Sequence, residues 1–167
     1  MKSALLAIIG LAFATPSSAD VLVDFNESAP KDRFTIRNSG ACPMEEIVVT
    51  IDLGASVAGL IFDVTGAGAG VSVYQPLEIV SGQEFLREVP LVRDGDTRAA
   101  FSISTLAPQE LIAFTIDVDD TAGVSETMVS GAEIKGAVVT VAQRGTETMA
   151  SFDEHSSARV PFSSCNA

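Results

Sequence analysis

The chain has 167 residues, with 10 basic and 22 acidic side chains and a formal net charge of −12. This excess of negative charge excludes a nucleic-acid partner, because phosphate backbones require a positively charged surface. Beyond the N-terminal segment no apolar run is long enough to cross ~30 Å of hydrocarbon, so no membrane span is predicted.

Residues 1–19 form a predicted signal peptide. Lys2 gives a positive start, residues 4–13 are apolar, and Ser17-Ser18-Ala19 offers small side chains to a peptidase. We therefore expect a secreted or periplasmic protein in which residues 20–167 form a single domain.

The rest of the chain consists of short strand patterns separated by turn residues. Alternation of polar and apolar side chains, as in 33–37 and 111–118, is typical of half-buried strands. In chain order the predicted strands are 21–25, 33–37, 46–53, 58–65, 71–80, 89–92, 97–103, 111–118, 127–134, 137–142, 150–152 and 159–162. This spacing predicts an all-β fold, an antiparallel β-sandwich.

Turn residues refine this prediction. The Asp-Gly pair in residues 93–96 predicts a hairpin between the strands at 89–92 and 97–103. Pro76 indicates an edge strand or two short strands, where a partner strand could add. The Gly-Ala-Gly-Ala-Gly run at 66–70 is interpreted as an inter-strand loop, because the lysine of a phosphate loop is missing.

The chain has two cysteines, Cys42 and Cys165. An even pair in an exported protein predicts one disulfide, and two free thiols are the alternative. Closing a loop of more than about 100 residues would stabilise the fold by up to about 4–5 kcal/mol in the chain-entropy model.

The acidic residues Asp117, Asp119 and Asp120 are the candidate metal ligands. On a strand, the first two lie on the same face, about 6–7 Å apart at Cα. Calcium takes six to eight oxygen ligands, and Glu126 could supply another. These residues are therefore candidate calcium ligands, and the sequence favours the alternative, a solvated acidic strand end without a cation.

Four other aspartates are explained without a ligand. The predicted turn accounts for Asp94 and Asp96. Asp52 and Asp63 are expected to point outward from strand faces. They become relevant to a cation site only if the fold brings them close to Asp117.

No enzyme is predicted, and no catalytic residue or cofactor other than calcium. His155, the single histidine, lies in a polar stretch, and no Gly-x-Ser-x-Gly nucleophile elbow is present. One histidine and two cysteines that are expected to be bonded do not make a zinc site. A sugar-cleaving carboxylate pair needs an aromatic cleft, and the chain has no tryptophan and one tyrosine.

Two passages resemble the immunoglobulin-like β-sandwich modules of bacterial exported proteins. Residues 34–40, followed by 46–51, are similar to the strand, Asn-x-Gly turn and strand that open such modules. Residues 106–110, leading into 114–118, are similar to their Leu-x-Pro-Gly-Glu strand entry, with Gln109 in place of the usual glycine. The resemblance implies an immunoglobulin-like sandwich.

The chain is also similar to small secreted bacterial proteins known as aggregation factor core-like. The matching passages are 29–35, 59–66 with Gly68 and Gly70, 92–97, 114–121 and 129–134. The resemblance covers most of residues 20–141 and implies an extracellular adhesion role that depends on calcium. We therefore expect a non-enzymatic binding or adhesion module. Its partners would be extracellular or cell-surface proteins, or further copies of itself; the alternative is a structural or accessory exported protein with no ligand.

Overall fold

Ten β-strands in two antiparallel sheets make up the described part of the chain. The structure is a computed structural model that describes residues 19–66, 74–121 and 129–162. The strands are β1 (Ala19–Asn26), β2 (Asp32–Asn38), β3 (Met44–Asp52), β4 (Ile61–Asp63), β5 (Glu78–Ser81), β6 (Arg98–Leu106), β7 (Leu111–Asp119), β8 (Val138–Gln143), β9 (Thr146–Ser151) and β10 (Ser157–Phe162). Two short 3-10 turns, Leu53–Ala55 and Gln83–Phe85, occur in these residues, and no α-helix does. The predicted all-β class is confirmed.

The strands form one six-stranded and one four-stranded sheet. The larger sheet has the order β10-β1-β2-β7, and β4 and β5 both pair with β7, at its C-terminal end and its middle. The smaller sheet has the order β6-β3-β8-β9. All of these pairs are antiparallel, an arrangement consistent with the predicted β-sandwich.

Phenylalanine rings join the two sheets. Phe101 of β6 lies 4.5 Å from Phe114 of β7, measured between ring centroids. Phe114 stacks on Phe34 of β2 at 5.1 Å, and Phe34 lies 5.0 Å from Phe25 of β1. All four rings are buried in one cluster with the inward-facing side chains of both sheets. Phenylalanine thus provides the large aromatic volume of a core that has no tryptophan.

Two predicted strands are wrong. Residues 89–92 have no regular structure, so the 93–96 turn does not connect a hairpin. The turn instead pairs with β4, where the Phe62 amide donates to Asp96 O and the Gly95 amide donates to Phe62 O. Residues 129–134 form turns, from which Val129 and Ile134 insert into the core. Val129 and Ile134 are buried by contacts with core side chains, although their segment does not pair with a neighbouring strand in the described part of the chain.

Other predictions hold with shifted bounds. β5 is a short strand that follows Pro76, and it pairs with β7 across a register irregularity between Ile79 and Ser81. The strand predicted at 58–65 is reduced to β4, because the chain turns at Leu53–Ala55 and again near Gly59. Residues 67–73, and with them most of the predicted glycine loop, lie outside the described residues, as does the predicted signal peptide before Ala19.

Within residues 19–66, 74–121 and 129–162, no helix is long and apolar enough to span a membrane.

Candidate functional site

The predicted calcium ligands lie at the C-terminal end of β7. Asp117 and Asp119 are half-buried on the face of the strand that points away from the core, as the sequence predicts. Asp120 follows the strand, and its amide donates to Asp119 Oδ1 at 2.8 Å. Glu126, the predicted additional ligand, lies outside the described residues.

The pairing of β4 with β7 brings Asp63 into this acidic group. Asp63 lies directly opposite Asp117, and Ile61 lies opposite Asp119. Directly opposite residues of an antiparallel pair share a face, with Cβ atoms about 4.5–5.5 Å apart. The expectation that Asp63 points into solvent is wrong, since the residue is fully buried. The condition under which it becomes relevant to a cation site, proximity to Asp117, is met.

Both carboxylate oxygens of Asp63 lack a hydrogen-bond donor among the described residues. Buried polar groups in folded proteins are nearly always hydrogen-bonded, so this carboxylate needs a partner. The neighbour within hydrogen-bonding reach is another carboxyl group, that of Asp94. Two ionised carboxylates repel each other, and the pair is stable only if a proton or a cation lies between them.

Asp94 comes from the turn that packs against β4. Its Oδ1 accepts hydrogen bonds from the amides of Val64 and Thr65, at 3.1 and 3.2 Å. Within the same turn the Arg93 amide donates to Asp96 Oδ2 at 2.8 Å. The turn is therefore held on the chain segment that carries Asp63, and its position does not depend on a hairpin.

The pKa values of Asp63, Asp94 and Asp117 are shifted from their usual range. Burial, together with the neighbouring Asp94 carboxyl, raises the pKa of Asp63 to about 6. Burial and the charge of Asp119 raise the pKa of Asp117 to about 6, while Lys31 acts in the opposite direction. Contacts with Asp63 and with backbone amides lower the pKa of Asp94. Asp94 is therefore the more acidic carboxyl group of the pair.

Asp32 is a further buried carboxylate near Asp117, at the edge of the core. It is 3 % exposed, and it accepts hydrogen bonds from the amides of Ser28 and Val118. Burial raises the pKa of Asp32 to about 7, and the charge of Asp117 adds to this effect. The adjacent Lys31 forms an ion pair with Glu78 at 2.9 Å, and its Nζ donates to Pro76 O.

The remaining sequence candidates lie elsewhere. Asp52 accepts a hydrogen bond from the Gly54 amide and forms an ion pair with Arg98 at 2.7 Å. His155 is exposed in the turn before β10. Among the described residues, no three His, Cys, Asp or Glu side chains already stand close enough together to hold a metal ion. The structure therefore supplies a close pair, Asp63 and Asp94, with Asp117 opposite the first.

Of the two cysteines in the predicted disulfide, Cys42 lies within the described residues. Cys42 is buried beside the end of β2, and its carbonyl accepts a hydrogen bond from Asn38 Nδ2 at 2.8 Å. Cys165 lies outside the described residues, so the bridge stays a prediction.

An apolar groove of about 490 Å³ opens beside Asp94. Tyr74 and Leu91 on its wall are 73 % and 80 % exposed. The other lining residues are Val64, Thr65, Pro76, Leu77, Pro90, Val92, Arg93 and Asp94. We call this feature the Tyr74–Leu91 groove. No sequence pattern predicts it, because it is built from irregular segments that the fold brings together.

Comparisons with protein-family models, with curated proteins and with solved structures each found no significant match to this chain.

Proposed function

We propose that this chain is an exported, non-enzymatic binding module of adhesion type, and that the Tyr74–Leu91 groove is its contact surface for another extracellular protein. The observation that carries the proposal is the exposure of Tyr74 and Leu91 around a concave apolar surface. Large side chains that are exposed together, with charged residues at the rim, are typical of protein contact sites. A tyrosine in such a position is also a common energetic centre of an interface.

The residues around the Tyr74–Leu91 groove support this role. Arg93 and Asp94 supply charges of both signs at the rim of the groove, which favours one orientation of a bound polypeptide. β5 follows the groove along the chain and pairs with β7. A partner segment that enters the groove could therefore continue as an added strand along β5.

Export and sandwich type belong to the same proposal. The positive start at Lys2 and the apolar run at 4–13 support secretion or delivery to the periplasm. An immunoglobulin-like sandwich is supported by the two antiparallel sheets and by contacts between the two passages that resemble such modules, at Asn38 and Leu106. Asp94, which lines the groove, and the neighbouring Asp63 and Asp117 support assistance by calcium.

The test measures association of the purified mature protein with intact cells of the producing organism and with itself. We expect Tyr74→Ser and Leu91→Ser each to weaken association about tenfold, because each removes apolar contact area at the centre of the interface. Met149→Ser is the matched control, since Met149 is 63 % exposed on β9, in the other sheet. A wild-type protein that stays monomeric and binds no cell-surface protein would contradict the proposal and favour a structural or accessory role.

A further inference from the structure

We infer that a calcium ion binds between the carboxylates of Asp63 and Asp94, with Asp117 as the adjacent third carboxylate. This site differs from the Asp117, Asp119 and Asp120 set that the sequence indicates. It stands on the geometry of β4, β7 and the 93–96 turn, whether or not the Tyr74–Leu91 groove binds a partner.

The first step is that the buried carboxylate of Asp63 has no hydrogen-bond donor in the described part of the chain. Its side chain is fully buried and aimed at Asp94, and both of its oxygens lack a donor among the described residues. Removing an ionised carboxylate from water without a partner is costly, so folded proteins place a donor or a cation there. Lys31, the basic side chain near Asp117, is already paired with Glu78.

The second step concerns the choice between a proton and a cation. A proton shared by Asp63 and Asp94 occupies one oxygen of each carboxyl group, so the second buried oxygen of Asp63 stays without a partner within the described ranges. A divalent cation can contact both carboxylates at once. It also offsets the repulsion from Asp117, which lies across the strand pair from Asp63.

The third step is the identity of the cation. The donors on the three aspartates are carboxylate oxygens, and a nitrogen or sulfur ligand is not among them, which favours a hard ion over zinc. Mg²⁺ demands a near-ideal octahedron at about 2.0–2.1 Å and gives up water reluctantly, so carboxylates on separate elements suit it less well than a larger ion with flexible coordination. Calcium accepts six to eight oxygens at about 2.3–2.6 Å, with water in the remaining positions. Asp94 is only half-buried and lines the groove, so water and ions reach the site from that side.

The site also has a structural consequence. Asp94 is held on the residues that follow β4 through the amides of Val64 and Thr65, and its turn is held on β4 through Phe62. An ion shared with Asp63 would add a further link between the 93–96 turn and β4 and so fix the rim of the groove. Calcium would then act on folding stability before it acts on any partner.

The experiment is a thermal melt of the purified mature protein at pH 8, first in chelator and then with excess CaCl2, together with equilibrium dialysis against calcium. At a calcium concentration about a hundredfold above Kd, we expect Tm to rise by about 5–10 °C. Dialysis should show one ion per chain. MgCl2 at the same concentration should give a smaller rise.

Asp63→Asn is the decisive variant. Its amide can donate to Asp94, so we expect it to fold in chelator with a Tm at or above the wild-type value and to lose the response to calcium. Asp94→Asn should lose the response as well. Asp120→Asn and Glu147→Gln, which each remove one negative charge outside the inferred site, should keep it. A calcium response that survives Asp63→Asn, or wild-type protein that binds no calcium at pH 8, would overturn the site and leave the groove proposal to its own test.

Discussion

Asn38 and Leu106 join the two sheets through a buried hydrogen bond. Asn38 Nδ2, at the end of β2, donates to Leu106 O, at the end of β6, at 2.8 Å. The same nitrogen donates to Cys42 O at 2.8 Å, and Oδ1 accepts from the Gly40 amide at 3.0 Å. The side chain is fully buried, and both donor protons and the acceptor are used. Residues 34–40 and residues 106–110 thus meet at Asn38.

Replacement of Asn38 by alanine is expected to destabilise the protein by about 2–4 kcal/mol. The change removes the side-chain donor to two buried carbonyl groups and the acceptor of the half-buried Gly40 amide, and an unmade buried hydrogen bond costs about 1–3 kcal/mol. Urea denaturation followed by circular dichroism measures the loss as a lower midpoint with an unchanged slope. Asn26→Ala, at an exposed position of β1, is the control and should stay within about 0.5 kcal/mol of wild type. An equal effect of the two variants would contradict the assignment.

Gln109 is expected to be a site where glycine stabilises the fold. It lies in the turn that closes with a hydrogen bond from the Glu110 amide to Ala107 O, and its φ is 69°. Left-handed backbone costs a side-chain-bearing residue about 1–2 kcal/mol, part of which glycine loses again to its freedom in the unfolded chain. We expect Gln109→Gly to raise the free energy of unfolding by about 0.5–1 kcal/mol.

The control for this turn is the opposite substitution at a second left-handed position. Gly95 has a φ of 79°, with open space where a Cβ would lie. Gly95→Ala should therefore cost about 1 kcal/mol through backbone strain alone. Both values come from denaturant midpoints, and a loss of stability in Gln109→Gly would show that the glutamine side chain makes a contact worth more than the strain.

The sequence predicts the regular strands well, and it fails where burial is achieved without pairing. β2 and β7 are visible because polar and apolar side chains alternate over a whole strand, and one face must be buried. Val129 and Ile134 give the same apolar signal, but they enter the core from turns. The apolar character of these residues predicts that they are buried, but it does not predict whether a neighbouring strand pairs with them.

The site is less predictable than the strands, for a similar reason. Asp117 and Asp119 are found from local spacing because both belong to one strand. The contribution of Asp63 depends on the β4–β7 register, and a shift of one residue would turn its side chain to the other face. Asp94 reaches Asp63 only because its turn packs on β4 and not at the tip of a hairpin. Both the β4–β7 register and the packing of the turn depend on tertiary structure, and the local sequence around Asp63 and Asp94 predicts neither.

The stability of the protein is expected to fall between about pH 4 and pH 7. Burial raises the pKa of Asp32 from 3.8 to about 7, so across this window the folded chain holds a proton that the unfolded chain has released. The free energy of unfolding therefore decreases as pH rises through the window and levels off above it, by on the order of a few kcal/mol. Asp63 and Asp117, whose pKa values are also raised, act in the same direction.

Urea denaturation in chelator at pH 4.5 and at pH 8 measures this dependence. Asp32→Asn removes the titrating group and should reduce the difference between the two conditions. Asp153→Asn is the control, because backbone amides lower the pKa of Asp153 and its stabilising effect is lost only toward acid pH. A pH dependence that is the same in wild type and in Asp32→Asn would contradict the raised pKa of Asp32.

The end of β10 lies near the turn that leads to Cys42. Phe162 lies opposite Ala19 in the β1–β10 pair, and Asp20 O accepts a hydrogen bond from the Ser39 amide at 2.8 Å. The turn that leads to Cys42 is therefore beside the end of β10. Cys165 follows Phe162 by three residues, and three residues of extended chain span up to about 10 Å. This arrangement supports the predicted bridge.

We therefore expect the Cys42→Ser and Cys165→Ser variants each to be destabilised by about 2–4 kcal/mol, because the unfolded chain loses a cross-link between distant residues. Buried Cys42 loses packing as well as the bond, whereas dithiothreitol acts on the bond alone. The informative comparison is therefore wild type with and without dithiothreitol, followed by urea denaturation, with Cys165→Ser treated in the same way. The reductant should lower the wild-type midpoint to that of the variant and leave the variant unchanged. If mass spectrometry of protein from the exported fraction finds two reduced thiols, the midpoint should not respond to the reductant, and the bridge would be wrong.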